Sequence, residues 1–367
     1  MSPRKIQLKE FRRRVVAGSF PQYPNLAAGL RGLRFVQADP IRSPARAQDL
    51  ILRHRVNSYA SGDLEKEYPH LGAEEGYLFA YGFMQPDVWQ DLHSQPAVKL
   101  TALERQVLAF IQRHGEVHPR DLADHFGKRS VTNYWGGKSQ ATKRVLEDLH
   151  EEGYLRVSRR EKGIRLYEVA ENAHQKLGDP EARFARLTMT TAHVFGPATK
   201  SFMLSELRGF TNLVPKRKDR EAIVDELVAS GQLRKIDVDG LTYLLENDKW
   251  KSNEVTEKVR ILAPFDPLVR SRQRFEQLWG WSYRFEAYVP TSKRVRGYYA
   301  MPLLWRENVT GWANAKVLDE RLHVEVGYVR KPTSPLKFRC ALETEIEAMT
   351  LFLGLVSGAW SLNFSSD

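Results

Sequence analysis

Gln37 and Asp39, one alanine apart in "RFVQADPIRSPARAQDLILRHRV" (Arg34 to Val56), are the side chains best suited to chemistry in this chain of 367 residues. An amide donates and accepts hydrogen bonds at once, and a carboxylate takes a proton or faces a developing positive charge. Phe35 and Val36 before them read as a short apolar strand. In an extended segment, positions 37 and 39 point to one side, with Val36 and Ala38 on the other. Pro40 keeps Asp39 out of the helical region, so the amide and the carboxylate converge on one point. The residue types also admit a plainer role. Asp39 can cap a turn, Gln37 can bond to backbone, and Gln-x-Asp is short enough to arise by chance.

Other chemistries find little support. The ten histidines are scattered, without a spacing such as His-Glu-x-x-His, so no metal is expected. A single cysteine, Cys340, leaves no intrachain disulfide and no cysteine-built metal site. No phosphate-binding loop of the form Gly-x-x-x-x-Gly-Lys-Ser/Thr is present, which disfavours nucleotide hydrolysis, and no cofactor is expected. The net charge of +11 favours a polyanionic partner. Residues 1–60 hold twelve Lys or Arg against three acids, Glu10, Asp39 and Asp49, so the motif sits in the most basic part of the chain. The first twenty residues are charged throughout and no stretch has the length and apolarity of a membrane span, so a cytoplasmic protein is expected.

The elements that would position the pair follow one repeated order. "TALERQVLAFIQRHG" predicts a helix capped by Thr101 and stopped at Gly115. "HPRDLADHFG" predicts a second, with Pro119 at its start and Gly127 past its end. "KSQATKRVLEDLHEEG" predicts a third, with Val145, Leu146 and Leu149 inward and Lys138, Lys143 and Arg144 outward. "YLRVSRREKGIRLYEVA" then alternates on either side of Lys162-Gly163, as a hairpin does. Three helices and a basic wing is the winged-helix plan of DNA-binding proteins. Basic residues on two adjacent elements (Lys138, Lys143 and Arg144 on the helix, Arg159 and Arg160 on the wing) point to phosphate contact, against the alternative of a solvated face.

The order recurs over 185–246, with "DREAIVDELVASG" as third helix and a wing turning at Asp239-Gly240. Residues 5–98 begin with helices and a basic third one, "SPARAQDLILRHRV", with Ser43 as N-cap and Pro44 at the first turn. The aromatic run from Tyr68 to Trp89 reads mostly as core. From about 258 the texture changes to strands, "VRILAPF", "YRFEAYVP", "RGYYAMPLLW" and "LHVEVGYV", closed by a helix near 341–355. Pro290 to Gly297 between two of them predicts an exposed tip carrying Lys293, Arg294 and Arg296. The expected fold is α+β: three tandem winged-helix units (1–98, 99–175, 176–250) on a C-terminal antiparallel β-rich domain (251–367).

Three blocks in order carry a resemblance. "FVQADPIRSPARAQDLILRHRV", "YWGGKSQATKRVLEDLHEEGYL" and "LAPFDPLVRSRQRFEQLWGWSYRFEAYVPTSKRVRGYYAMPLLW" are similar to segments of the winged-helix DNA glycosylases that unhook interstrand crosslinks, the AlkZ/AlkX or YcaQ-like family. The resemblance spans some 300 residues and implies three winged helices lining a basic channel for duplex DNA. It also implies a catalytic pair at Gln37 and Asp39, of the Gln-x-Asp branch with broader specificity. Two segments depart from the family pattern, "FAYGFMQPDVW" and "GWANAKV" from Gly311, and bear on substrate range.

The implied chemistry suits the residues. Alkylation at purine N7 makes the base a cationic leaving group that needs no acid. Asp39 would stabilise charge on the sugar and take a proton from water that Gln37 orients. Arg42, Arg46 and Arg53 would hold phosphates. With no lysine in the motif for a Schiff base, a monofunctional glycosylase is expected, acting as a monomer on alkylated or crosslinked duplex DNA. A winged-helix regulator with no enzymatic activity is the alternative.

Overall fold

The computed structural model describes residues 4–93, 99–127, 130–132, 138–171, 179–247 and 254–365; the side chains of 130–132 and 138–139 are not among those described. A short strand β1 (Arg4–Lys5) leads into α1 (Leu8–Ser19), which turns Phe11, Val15 and Val16 inward at helical spacing. Asn25 caps α2 (Leu26–Leu33) by accepting from the Ala28 N–H, and α2 feeds β2 (Phe35–Gln37). Then come α3 (Ala47–Leu52), α4 (Asp63–Glu67) and a 3-10 turn, Tyr68–His70. Strands β3 (Glu74–Tyr77) and β4 (Tyr81–Met84) form a hairpin, and β4 pairs antiparallel with both β3 and β2. The aromatic run spans the 3-10 turn, this hairpin and the helix after it: Tyr68, Phe83 and Trp89 are buried and Tyr77 is exposed. Helix α5 (Pro86–Leu92) follows. The expected Ser43 cap is not made. Its hydroxyl donates to the Ala315 carbonyl on a distant strand, and α3 begins only at Ala47.

The middle of the chain shows the repeated order twice. Helix α6 (Ala102–His114) has the reciprocal Thr101–Glu104 capping box, and Gly115 ends it at φ 76°. After α7 (Pro119–Phe126) come two short paired strands, β5 (Ser130–Thr132) and β6 (Lys138–Gln140), then α8 (Ala141–Glu151). Lys138 therefore lies in a strand rather than on the third helix. The hairpin β7 (Leu155–Glu161) and β8 (Ile164–Val169) turns at Lys162-Gly163, both at positive φ, as a two-residue turn matched to strand twist requires. The second set is α9 (Pro180–Phe195), α10 (Lys200–Glu206), a 3-10 turn at Arg208–Phe210, α11 (Arg217–Ala229), β9 (Leu233–Val238) and β10 (Leu241–Glu246). Its Asp239-Gly240 turn has the same signs of φ, and β1 adds to β9 in parallel.

The remainder builds a five-stranded sheet. Strand β11 (Val259–Ile261) is followed by α12 (Pro267–Arg270) and α13 (Arg272–Trp279), then β12 (Met301–Trp305), β13 (Asn308–Leu318), β14 (Arg321–Tyr328), α14 (Pro335–Phe352) and β15 (Trp360–Phe364). The sheet order is that of the chain, antiparallel except that β15 runs parallel to β14. Two expectations are corrected. The closing helix begins at Pro335, with an unforeseen strand after it. "YRFEAYVP" forms no strand: 281–300 is irregular apart from a 3-10 turn at Thr291–Lys293, so Lys293, Arg294 and Arg296 do not ride a hairpin tip. The buried carboxylate of Glu286 accepts the N–H groups of Val295 and Arg296, at 3.0 and 2.8 Å, in place of a ladder partner.

Hydrophobic packing crosses the chain order. One core joins α2, α3 and β4 to α6, α8 and the C-terminal sheet. A second joins β4 and α5 to α9 and α11, and a third joins α1 to β9, β10 and α13, with Phe11 4.7 Å from Tyr243 between ring centres. Among the described residues, no helix is long and apolar enough to cross a membrane.

Candidate active site

Gln37 and Asp39 stand where β2 leaves its sheet. Gln37 pairs with Gly82 of β4, and a Cβ at Gly82 would come within 2.6 Å of the Phe35 ring and the Val36 carbonyl, so glycine is what lets the strands close. Beyond Gln37, Ala38 still bonds to the Tyr81 carbonyl, after which the chain turns away. Asp39 is 9% exposed. Its Oδ1 accepts the Ile41 N–H at 2.9 Å, and its own N–H donates to Gln48 Oε1 at 3.3 Å. The turn-capping role thus exists and occupies one carboxylate oxygen. Oδ2 has no hydrogen-bond partner among the described residues. Burial pushes the Asp39 carboxyl above its ordinary pKa, and the Ile41 N–H only partly offsets this. Gln37 bonds not to backbone but to Arg270 of α12, whose Nη1 donates to its Oε1 at 2.8 Å.

Two tyrosines of the irregular segment feel the charge of the carboxylate. Burial raises the phenols of Tyr288 and Tyr299, and the negative charge of Asp39 raises both further. Phe285 connects them, 6.0 Å from Tyr288 and 5.1 Å from Tyr299 between centroids, with Phe265 5.1 Å behind it. Tyr288 is 79% exposed, whereas Tyr299 is buried with a hydroxyl that finds no partner among the described residues. A cavity of about 590 Å³ continues past Tyr299 along Ser43, Tyr298, Asn314, Lys316 and His323. Part of "GWANAKV" therefore lines it. The other departing segment, "FAYGFMQPDVW", lies behind the pair: its Phe79 carbonyl accepts from Arg270 Nη2 at 3.1 Å.

A family model described as DNA glycosylase AlkZ-like matches residues 30–352, most of the chain. The chain belongs to the AlkZ-like DNA glycosylase family. The solved structure of Streptomyces sahachiroi DNA glycosylase AlkZ superposes with a TM-score of 0.66 at 14% identity, covering 98% of this chain and all of that one, so the fold is shared. An AlkZ-like glycosylase is an enzyme of DNA repair that binds DNA, which decides between catalyst and regulator.

For such an enzyme the basic residues read from sequence divide sharply. Arg53 is 4% exposed at its side chain and ion-paired with Glu345, and Arg46 is ion-paired with Glu65. Both hold the fold together. Arg42 remains exposed, without a hydrogen-bonded or ion-paired partner among the described residues. The wing turns inward: Arg160 donates to Glu75 at 2.5 and 2.8 Å, Arg156 grips Glu74, and Arg165 covers the Tyr81 ring. Burial alone would raise the Glu75 carboxyl, but the Arg160 hydrogen bonds and charge hold it low. These guanidiniums reach carboxylates of the neighbouring hairpin because β7 packs on it. Arg159 is exposed beside Glu116, and Lys143 and Arg144 are exposed beside Glu147 and Asp148 of their own helix. Lys293 is exposed; Arg294 donates to the Val289 carbonyl and lies over Tyr298, and Arg296 lies over Trp281. Lys138 is in β6, its side chain outside the described ones. Sequence reasoning missed Arg270, Tyr288 and Tyr299, although all three fall in the third resembling block.

Proposed function

We propose that this AlkZ-like glycosylase hydrolyses the N-glycosidic bond of N7-alkylated purines in duplex DNA, interstrand crosslinks included, and leaves an abasic site. The observation that carries this reading is Asp39: buried, with one oxygen tied to a backbone N–H and the other without a hydrogen-bond partner among the described residues. N7-alkylation gives the purine a positive charge, so it departs as a neutral base without protonation by the enzyme. Asp39 faces the positive charge that grows on the sugar as the bond lengthens. The same carboxylate takes one proton from the water whose oxygen attacks C1′. Aromatic faces suit a flat cationic base through cation–π attraction. The Gln37–Asp39 motif contains no lysine, so no Schiff base forms there and the strand stays intact.

On this reading the helix-and-hairpin sets are three winged-helix units, over 1–98, 99–175 and 176–250, carried on residues 251–367. Phosphates meet Arg42, Lys143, Arg144, Arg159 and Lys293, with Lys138, Arg294 and Arg296 beside them. The enzyme acts as a monomer in the cytoplasm, on the nucleoid when bound. Incubation with a duplex carrying N7-methylguanine tests the proposal: free base should appear with an unbroken abasic strand. Absence of base release would overturn the substrate, and strand cleavage by the enzyme alone would overturn the monofunctional assignment.

A further inference from the structure

The two ends of the Gln37 amide do opposite work: the oxygen only accepts, the nitrogen only donates. Arg270 stands 2.8 Å from one of them. A guanidinium has five donors and no acceptor, so the end facing it must be the oxygen. Arg270 is itself held from two other elements, with Nη2 donating to Glu206 Oε2 of α10 at 2.9 Å and to the Phe79 carbonyl at 3.1 Å. The helix that carries it is fixed as well, since Asp266 caps α12 and receives two hydrogen bonds from the buried Arg55.

We infer that Arg270, braced by Glu206, is a positioning residue that turns the Gln37 amide so that its NH2 group is the working end. This rests on the glycosylase reading of the site. Gln37 then holds the attacking water by donating to its oxygen. One lone pair of that oxygen accepts from the amide, the other attacks C1′, and one hydrogen goes to Asp39. With the amide reversed, its carbonyl would accept a water hydrogen and compete with Asp39 for the proton to be transferred. The same Arg270 contact thus assigns Gln37 a donor role and leaves proton acceptance to Asp39 alone.

The test is single-turnover release of N7-methylguanine from duplex by Gln37→Ala, Gln37→Glu, Arg270→Met, the Gln37→Ala/Arg270→Met double variant and Asp39→Asn, beside the wild type. Gln37→Ala and Arg270→Met should each slow release about ten- to a hundredfold, the scale of one oriented donor, with duplex affinity kept. The double variant should be no slower than the slower single one, because both remove the same donor. A general packing role for Arg270 would instead multiply the two losses and overturn the inference. Gln37→Glu keeps an oxygen for Arg270 but has no N–H, so it should be as slow as Gln37→Ala; near-normal release would show that the oxygen is the working end. That arm decides the point even if Arg270→Met folds poorly. Should Asp39→Asn stay active, the catalytic reading fails, and a wild type that releases no base removes the proposed substrate, the inference falling with either. An inactive Asp39→Asn with multiplicative losses sinks the Arg270 inference alone.

Discussion

Arg55 and Asp266 share two hydrogen bonds, of 2.8 and 3.0 Å, at a point where the side chains are 1% and 0% exposed. They join the turn after α3, downstream of β2 and Asp39, to the start of the helix that ends at Arg270. An arginine that sequence places in a basic, anion-seeking run thus has its anion inside the protein. Arg55→Ala should cost about 3–5 kcal/mol, because it strands a buried carboxylate. Arg55→Met with Asp266→Asn should cost clearly less, since asparagine keeps the cap on α12 and no charge is left unpaired. Urea denaturation monitored by circular dichroism measures both, and equal losses would show that the pair adds packing only.

Asp39→Asn should abolish base release and leave duplex affinity unchanged, since it removes the charge and the proton acceptor but keeps the shape. Gln37→Ala should be slowed by a smaller factor. Gel-shift binding read beside base release separates the two effects. Near-full activity in Asp39→Asn would return the residue to its turn-capping role alone.

The rate of release should fall in acid, with an apparent pKa above the ordinary carboxylate range. Burial raises the Asp39 carboxyl, so its ionised, proton-accepting form is present above that raised pKa and lost as pH falls through it. Single-turnover rates from pH 4 to 8 should show this limb in the wild type. A profile flat down to the usual aspartate pKa would contradict it.

Binding to undamaged duplex should weaken steeply with salt, by roughly 0.9 counterions per phosphate contact. Arg42→Gln should reduce the log–log slope by about one, the loss of a single contact. Arg53→Gln should leave the slope alone and lower the melting temperature, because its partner Glu345 is buried. A reduced slope in Arg53→Gln would mean that the ion pair opens to DNA.

Lys293→Ala should depress unhooking of a nitrogen-mustard crosslink more than release of N7-methylguanine. Lys293 is the exposed one of the three basic residues between Pro290 and Gly297, while Arg294 and Arg296 brace the loop on Tyr298 and Trp281. A tethered duplex must be held open where a methyl adduct need not be. Equal losses on the two substrates would reduce Lys293 to general phosphate affinity.

What neighbours in the chain decide between themselves is legible in the sequence alone. Thr101 and Glu104 cap α6 because both lie within one turn, and the Lys162-Gly163 and Asp239-Gly240 turns follow from residues that tolerate positive φ. The strand that carries Gln37 is readable too, from the apolar Phe35-Val36 start, and the three-block resemblance points to the family. Tertiary structure alone decided the fate of the charges. Arg160 meets Glu75 across 85 residues and Arg53 meets Glu345 across 292, distances over which sequence shows the sign of a charge but not its partner. The β-prone residues of "YRFEAYVP" mislead for a related reason: Glu286 takes the backbone N–H groups of Val295 and Arg296 that a strand pairing would have used. Arg270, 233 residues from Gln37, belongs to the same class. Local conformation depends on neighbours in the chain, whereas the partner of a charge or an amide depends on which surfaces the fold brings together.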